Sequence, residues 1–113
     1  MNDAVSEWHI SYSNEASEDL DCIFDYIANT LLEPATAANQ SNRIMEAVSS
    51  LNFMPLRHRL YDYEPWRSLG LRVLPIDNYV VLYLPDENDK QVTIINIVYG
   101  GRDIGVFLND AEK

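Results

Sequence analysis

The chain has one cysteine, Cys22, in 113 residues. That excludes an internal disulfide and argues against a secreted, cross-linked scaffold, so a reducing cytoplasm is the expected compartment. Long apolar runs are missing too. No stretch approaches the roughly 18 residues that a membrane-crossing helix requires. The opening, MNDAVSEWHI, lacks the basic and apolar regions of a signal peptide. Cations are scarce: eight Lys and Arg stand against 18 Asp and Glu, for a net charge of −10. Such a chain repels nucleic acid unless its few cations are gathered in one place. There is no Cys/His cluster at zinc spacing, no P-loop, no GxSxG and no dinucleotide fingerprint, so no metal and no cofactor is expected. Internal repeats and low-complexity runs are absent as well.

What is present is the material of one folded domain spanning residues 1–113. Hydrophobic residues make up 47% of the chain, including three Phe, two Trp and seven Tyr, enough for a core and too many for disorder. The charge is uneven. Residues 1–50 hold one Arg against nine acids, residues 51–83 four Arg against three acids, and residues 84–113 three bases against six acids. The arginines therefore bunch at Arg57, Arg59, Arg67 and Arg72, with Arg102 a further candidate to join them in space. They form either a docking surface or the ordinary solvated exterior of an acidic protein.

Trp8, Ile10 and Tyr12 alternate with Glu7, His9 and Ser11, which predicts a half-buried strand with His9 on its polar face. Ser13 or Asn14 then caps a helix. Ala16, Leu20, Ile23, Ile27 and Leu31 form its apolar stripe, and Glu18, Asp19, Asp21 and Asp25 a solvated face. Cys22 lies between acids, a setting that raises a thiol pKa and makes a poor nucleophile. Pro34 opens a second helix, in which Ala37, Ser41, Ile44, Val48 and Leu51 recur at hairpin-seam spacing, widened by Ala38 and Met45. That helix ends near Phe53, ahead of Met54-Pro55. Residues 55–69 (PLRHRLYDYEPWRSL) are the longest irregular stretch. Arginine and histidine interleaved with Tyr61, Tyr63 and Trp66 suit either stacking on a base or gripping a partner, or else anchoring the loop by aromatic packing.

The last third supplies the sheet. Leu71–Leu74, Asn78–Leu84 and Val92–Tyr99 read as three consecutive antiparallel strands, joined by turns at 76–78 and 85–89. Neither of the longer two alternates, so both their faces should be covered. Pro75 belongs at a strand end. Gly100-Gly101 turns the chain out of the last strand, and Ile104, Val106, Phe107 and Leu108 make an apolar tail. The expected fold is α+β: an N-terminal strand and an αα-hairpin packed on one face of a mainly antiparallel, twisted sheet of about four strands. Leu20, Ile23, Ile27, Ile44, Val48 and Leu51 should meet Val81, Tyr83, Ile95 and Ile97, or their neighbours.

This order resembles the RelE/ParE family of bacterial type II toxin–antitoxin (plasmid stabilisation) toxins. The resemblance rests on Trp8-His9-Ile10-Ser11-Tyr12-Ser13 with Ala16, Asp19-Leu20, Ile23 and Tyr26-Ile27. It continues through Gly70-Leu71-Arg72-Val73-Leu74-Pro75, Asn78-Tyr79-Val80-Val81 and Tyr83 in the ParE style, and closes on Tyr99-Gly100-Gly101-Arg102-Asp103-Ile104. It implies a growth-inhibiting toxin neutralised by a cognate antitoxin, with DNA gyrase (ParE branch) or the ribosome and its mRNA (RelE branch) as target. In the RelE branch the activity is a metal-independent mRNA endoribonuclease. For such a reaction the resemblance implies Arg72 and Arg102 at the phosphate; His58, Tyr61, Tyr63 and Tyr99 are the residues of this chain left to transfer a proton, with His58 named beside Arg72 and Arg102 as a catalytic candidate. The central-strand position often occupied by Arg is Val80, and the C-terminal tyrosine position falls near Phe107 or Leu108. Neither residue transfers a proton, so the ParE-like, non-nucleolytic reading is favoured. Arg57, Arg59, Trp66, Arg67, Arg72 and Arg102 are the candidate target- or antitoxin-binding residues. A non-toxic protein-binding module that keeps the fold is the reading from another class.

Overall fold

The computed structural model describes residues 7–100. Strand β1 (His9–Tyr12) runs into Ser13, whose extended backbone and side chain cap the first helix. Ser13 Oγ accepts from the Ala16 amide at 3.0 Å and donates to the Ile95 carbonyl at 2.8 Å. The same hydroxyl therefore starts the helix and ties it to the sheet. Helix α1 (Asn14–Asp25) widens into a π-helical turn over Tyr26–Thr30. After Leu31 and Leu32, the latter left-handed at φ 59°, helix α2 (Pro34–Ser49) returns antiparallel to it and ends in a 3₁₀ turn, Ser50–Asn52. Pro34 occupies the first turn of α2, where its missing N–H is not needed.

Residues 53–70 contain a 3₁₀ turn at Pro55–Arg57 and one short helix, α3 (Trp66–Leu69), closed by Gly70 at φ 95°. Strands β2 (Arg72–Ile76), β3 (Tyr79–Asp86) and β4 (Gln91–Tyr99) then form the expected antiparallel meander. The sheet order is β1-β4-β3-β2, with β1 parallel to β4, so the sheet is mixed. Pro75 falls inside β2 rather than at its end, which is tolerable because β2 is an outer strand.

Two apolar layers sandwich this sheet. On the helical side Ala16, Ile44, Val48 and Leu51 meet Trp8, Leu74, Val81, Tyr83, Val92, Ile94 and Ile97. On the other side Tyr61 and Trp66 cover Leu71, Val73, Leu82 and Val98. Both faces of the long strands are thus occupied, which is why neither alternates.

Four further expectations need correction. Ile95 packs with the layer opposite the helices, because β4 bulges there: Leu82 pairs with Asn96 and Tyr83 with Ile94, so Ile95 is the extra residue and the inward parity passes from Ile94 to Ile97. The stripe of α1 ends at Ile27, 7% exposed, while Leu31 is 50% exposed, since the π turn rotates it away. Ala38 and Met45 face outward and do not widen the seam. Asp19 is also more than a solvated acid: its carboxylate accepts from Ile97 N and Asn96 Nδ2, each at 2.9 Å, and so satisfies the edge of β4 beyond the reach of β1.

Among the described residues, no helix is long and apolar enough to cross a membrane. The apolar tail, Ile104 to Leu108, lies outside the described residues.

Candidate partner-binding surface

Two of the arginines expected to grip a target, Arg57 and Arg72, bind backbone carbonyls instead of standing free. Arg57 follows the end of α2, and its guanidinium donates to the carbonyls of Ser50, Phe53 and Met54 and to Ser50 Oγ. Arg72 reaches from β2 to the carbonyls of Leu56 and His58, at 3.1 and 2.6 Å. Between them Tyr83, fully buried, donates its hydroxyl to the Pro55 carbonyl at 2.6 Å. Three side chains, from the loop, β2 and β3, therefore hold six carbonyls of the 50–58 turn, of which those of Ser50 and Met54 also accept a main-chain amide.

The electrostatics follow from this knot. Burial pushes the Tyr83 phenol up to about 12, with Arg72 and Arg57 partly opposing. His58 packs edge-on against the Tyr83 ring, at a centroid distance of 6.3 Å. Burial first, then the charges of Arg57 and Arg72, holds its pKa below the usual histidine value. His58 Nε2 and Arg72 Nε are buried without a hydrogen-bond partner.

The other candidates fall around this knot. Arg59 makes an exposed ion pair with Asp62 at 3.2 Å, and Arg67 is exposed on α3. Trp66 is half-buried against the outer apolar layer, where it anchors the loop. Leu60 bridges Arg72, Tyr61 N donates to Leu71 O, and Val73 N donates to Arg59 O, so the loop covers part of the free edge of β2. Arg102 lies outside the described residues. Of the named candidates, the structure gathers Arg57, His58 and Arg72 at one turn, with Arg59, Trp66 and Arg67 on the loop that follows.

What sequence reasoning missed is the apolar display carried by that turn. Phe53 is 49% exposed, Met54 57% and Leu56 38%, and Met54 is left-handed at φ 50°. Leu56 and Leu69 also line an open hollow of about 620 Å³, whose far wall is Leu84, Pro85, Asp86, Glu87, Thr93 and Ile95. The available signal was Phe53-Met54-Pro55-Leu56 itself, three large apolar residues at a helix end, where a turn is normally polar.

A second aromatic pair, half-buried Tyr79 and exposed Tyr99, sits where β3 begins and β4 ends. Tyr79 and Tyr99 meet edge-on at 5.9 Å. Burial, then the neighbouring Tyr99 and Tyr26, raises the Tyr79 pKa. The adjoining β2–β3 turn is tied to α2: Asp77 accepts from Arg43 at 2.7 and 2.8 Å and from Gln40 at 2.9 Å. The Arg43 bonds, then that from Gln40, pull the Asp77 carboxyl down to about 2. Among the described residues no group of three or more His, Cys, Asp or Glu is placed to hold a metal ion.

The family model described as "ParE toxin of type II toxin-antitoxin system, parDE" matches residues 10–104, most of the chain. The chain belongs to the ParE toxin family of toxin–antitoxin systems. Solved structures show the same fold. The chromosomal ParDE toxin–antitoxin system from P. aeruginosa superposes with a TM-score of 0.68 at 22% identity, over 83% of this chain and 97% of that one. The RelBE2 toxin–antitoxin complex from Mycobacterium tuberculosis gives a TM-score of 0.60 at 19% identity, covering 82% and 98% of the two chains. The archaeal RelE–RelB complex from Pyrococcus horikoshii gives 0.50 at 14%, covering 86% and 99%. No curated protein matches significantly.

Proposed function

We propose that this toxin acts as a ParE-type poison of DNA gyrase, without nuclease activity, and that a cognate antitoxin encoded beside it holds it inactive. The observation that carries this reading is the use made of the arginines. A metal-free ribonuclease needs cations free to stabilise a phosphate in its transition state, and a proton-transfer group beside them. Here Arg57 and Arg72 are engaged by backbone carbonyls, and His58 packs edge-on against Tyr83 within the field of both cations. The central strand β3 offers Val80 where a nuclease would place a cation. The family match is to the ParE branch, which supports the same side. An overall charge of −10 also opposes tight association with ribosomal RNA. The antitoxin is the partner by analogy with the ParDE and RelBE complexes that share the fold.

The test is induction in cells with and without the neighbouring gene. Growth arrest that the neighbour relieves, accompanied by DNA breaks and an SOS response, is the expected result. Unimpaired growth without the neighbour refutes toxicity and leaves a protein-binding module. New mRNA 5′ ends that vanish in Arg102→Ala refute the gyrase assignment in favour of a RelE-like ribonuclease.

A further inference from the structure

We infer that the turn Phe53–Met54–Pro55–Leu56 is a preorganised docking knuckle for the antitoxin. Its occupant is an amphipathic segment whose apolar side chains cover Phe53, Met54 and Leu56 and enter the hollow at Leu69, with carboxylates flanking those anchors. This rests on the toxin–antitoxin reading and adds the site and the chemistry of the contact.

Three observations converge on it. The first is the display: Phe53, Met54 and Leu56 are 49%, 57% and 38% exposed within four residues, with Leu69, 61% exposed, across the rim of the hollow. A patch of this kind on a small domain marks an interaction surface. The second is rigidity. The turn carries no regular ladder, yet Arg57, Arg72 and Tyr83 hold its carbonyls, and Met54 is kept left-handed, a conformation that a bulky residue adopts only under constraint. An apolar group fixed before binding loses little freedom on docking, so more of the contact energy survives as affinity. A turn needed only to link α2 to β2 would gain nothing from showing Phe and Met to water.

The third observation is charge, and it chooses the occupant. Residues 51–72 carry four arginines against Asp62 and Glu64, a local excess of cations in a chain of net −10. Arg59 and Arg67 are exposed beside the knuckle and outside the carbonyl clamp. A basic segment would be repelled there and an acidic one drawn in. Asp86 and Glu87 on the far wall of the hollow set the orientation. Carboxylates of the partner face the 57–67 side, and its neutral or basic positions face the β3–β4 turn.

The experiment uses the full-length chain and the purified product of the neighbouring gene. Isothermal titration of the wild type should give a tight complex, and Met54→Glu with Leu56→Glu should weaken it at least about tenfold. Arg59→Glu with Arg67→Glu should weaken it as well and flatten its salt dependence. Glu18→Lys, on the outer face of α1, should leave it unchanged. Methyl NMR of the wild type provides a reading that does not depend on any variant folding: the Met54 and Leu56 methyl resonances should shift on binding. A tight complex with unmoved Met54 and Leu56 methyls, or with affinity kept within about twofold in a folded Met54→Glu, Leu56→Glu variant, overturns the inference and leaves the toxin–antitoxin reading standing. Failure of the wild type to bind the neighbour's product overturns that reading, and the inference with it.

Discussion

Tyr83→Phe isolates the clamp beneath the knuckle. The substitution keeps the buried ring and removes only the hydroxyl that donates to Pro55 O at 2.6 Å. No cavity opens, so the cost is that of a buried carbonyl left without its donor, about 1–3 kcal/mol. In a domain of this size each kcal/mol moves the melting temperature by roughly 4 °C, so a fall of about 4–12 °C is expected. Hydrogen exchange adds a local reading. The Arg57 amide donates to Met54 O across the same turn at 3.1 Å, and it should exchange faster in the variant while amides of α2 are unchanged. The alkaline limb gives a third. Burial raises the Tyr83 phenol to about 12 from an ordinary 10. Its contribution to stability is therefore complete below pH 10 and is lost as pH climbs towards 12, and Tyr83→Phe should lack that loss. A variant melting with the wild type and exchanging alike at Arg57 would refute the idea that this hydroxyl braces the turn.

Other outcomes follow from the same packing. Ile27→Ala, at a site 7% exposed, should cost about 2–5 kcal/mol in urea denaturation. Asp19→Ala leaves the Ile97 amide and Asn96 Nδ2 without their acceptor, and a loss of about 1–3 kcal/mol is expected. The Asp77 carboxyl, followed by NMR, should titrate near 2 and move back towards 3.8 in Arg43→Met; its pairing helps the fold above 3.8 and fades as pH falls through 2. The folded state holds His58 below its ordinary 6.5, so stability should decline as pH falls below 6.5, and His58→Asn should flatten that slope.

Much of the fold is legible in the chain because burial leaves a period behind. Ala37, Ser41, Ile44 and Val48 recur at seam spacing and are the buried residues of α2. The uninterrupted apolar runs of β3 and β4 reflect cover on both faces. The bulge at Ile95 left no mark, because Ile94, Ile95 and Ile97 are the same residue type and parity is decided by which one the ladder skips. The arginines were legible as a group but not in their use. A guanidinium that binds phosphate and one that binds a main-chain carbonyl look alike in sequence, since every residue offers the same acceptor. The exposed Phe53, Met54 and Leu56 failed to stand out for a related reason: an apolar run in a turn has the same composition whether it is covered by the domain or shown to a partner.

The strand order has a bearing on how the toxin is made. Because β4 lies between β1 and β3, the first strand to leave the ribosome must wait for the last before it has a neighbour. A nascent chain stopped before Gln91 would show two unzipped edges and no closed core, and would be food for proteases rather than a poison. Translation thus has to pass β4 before the sheet can close and any folded toxin exists, which leaves time for a protective protein to be waiting.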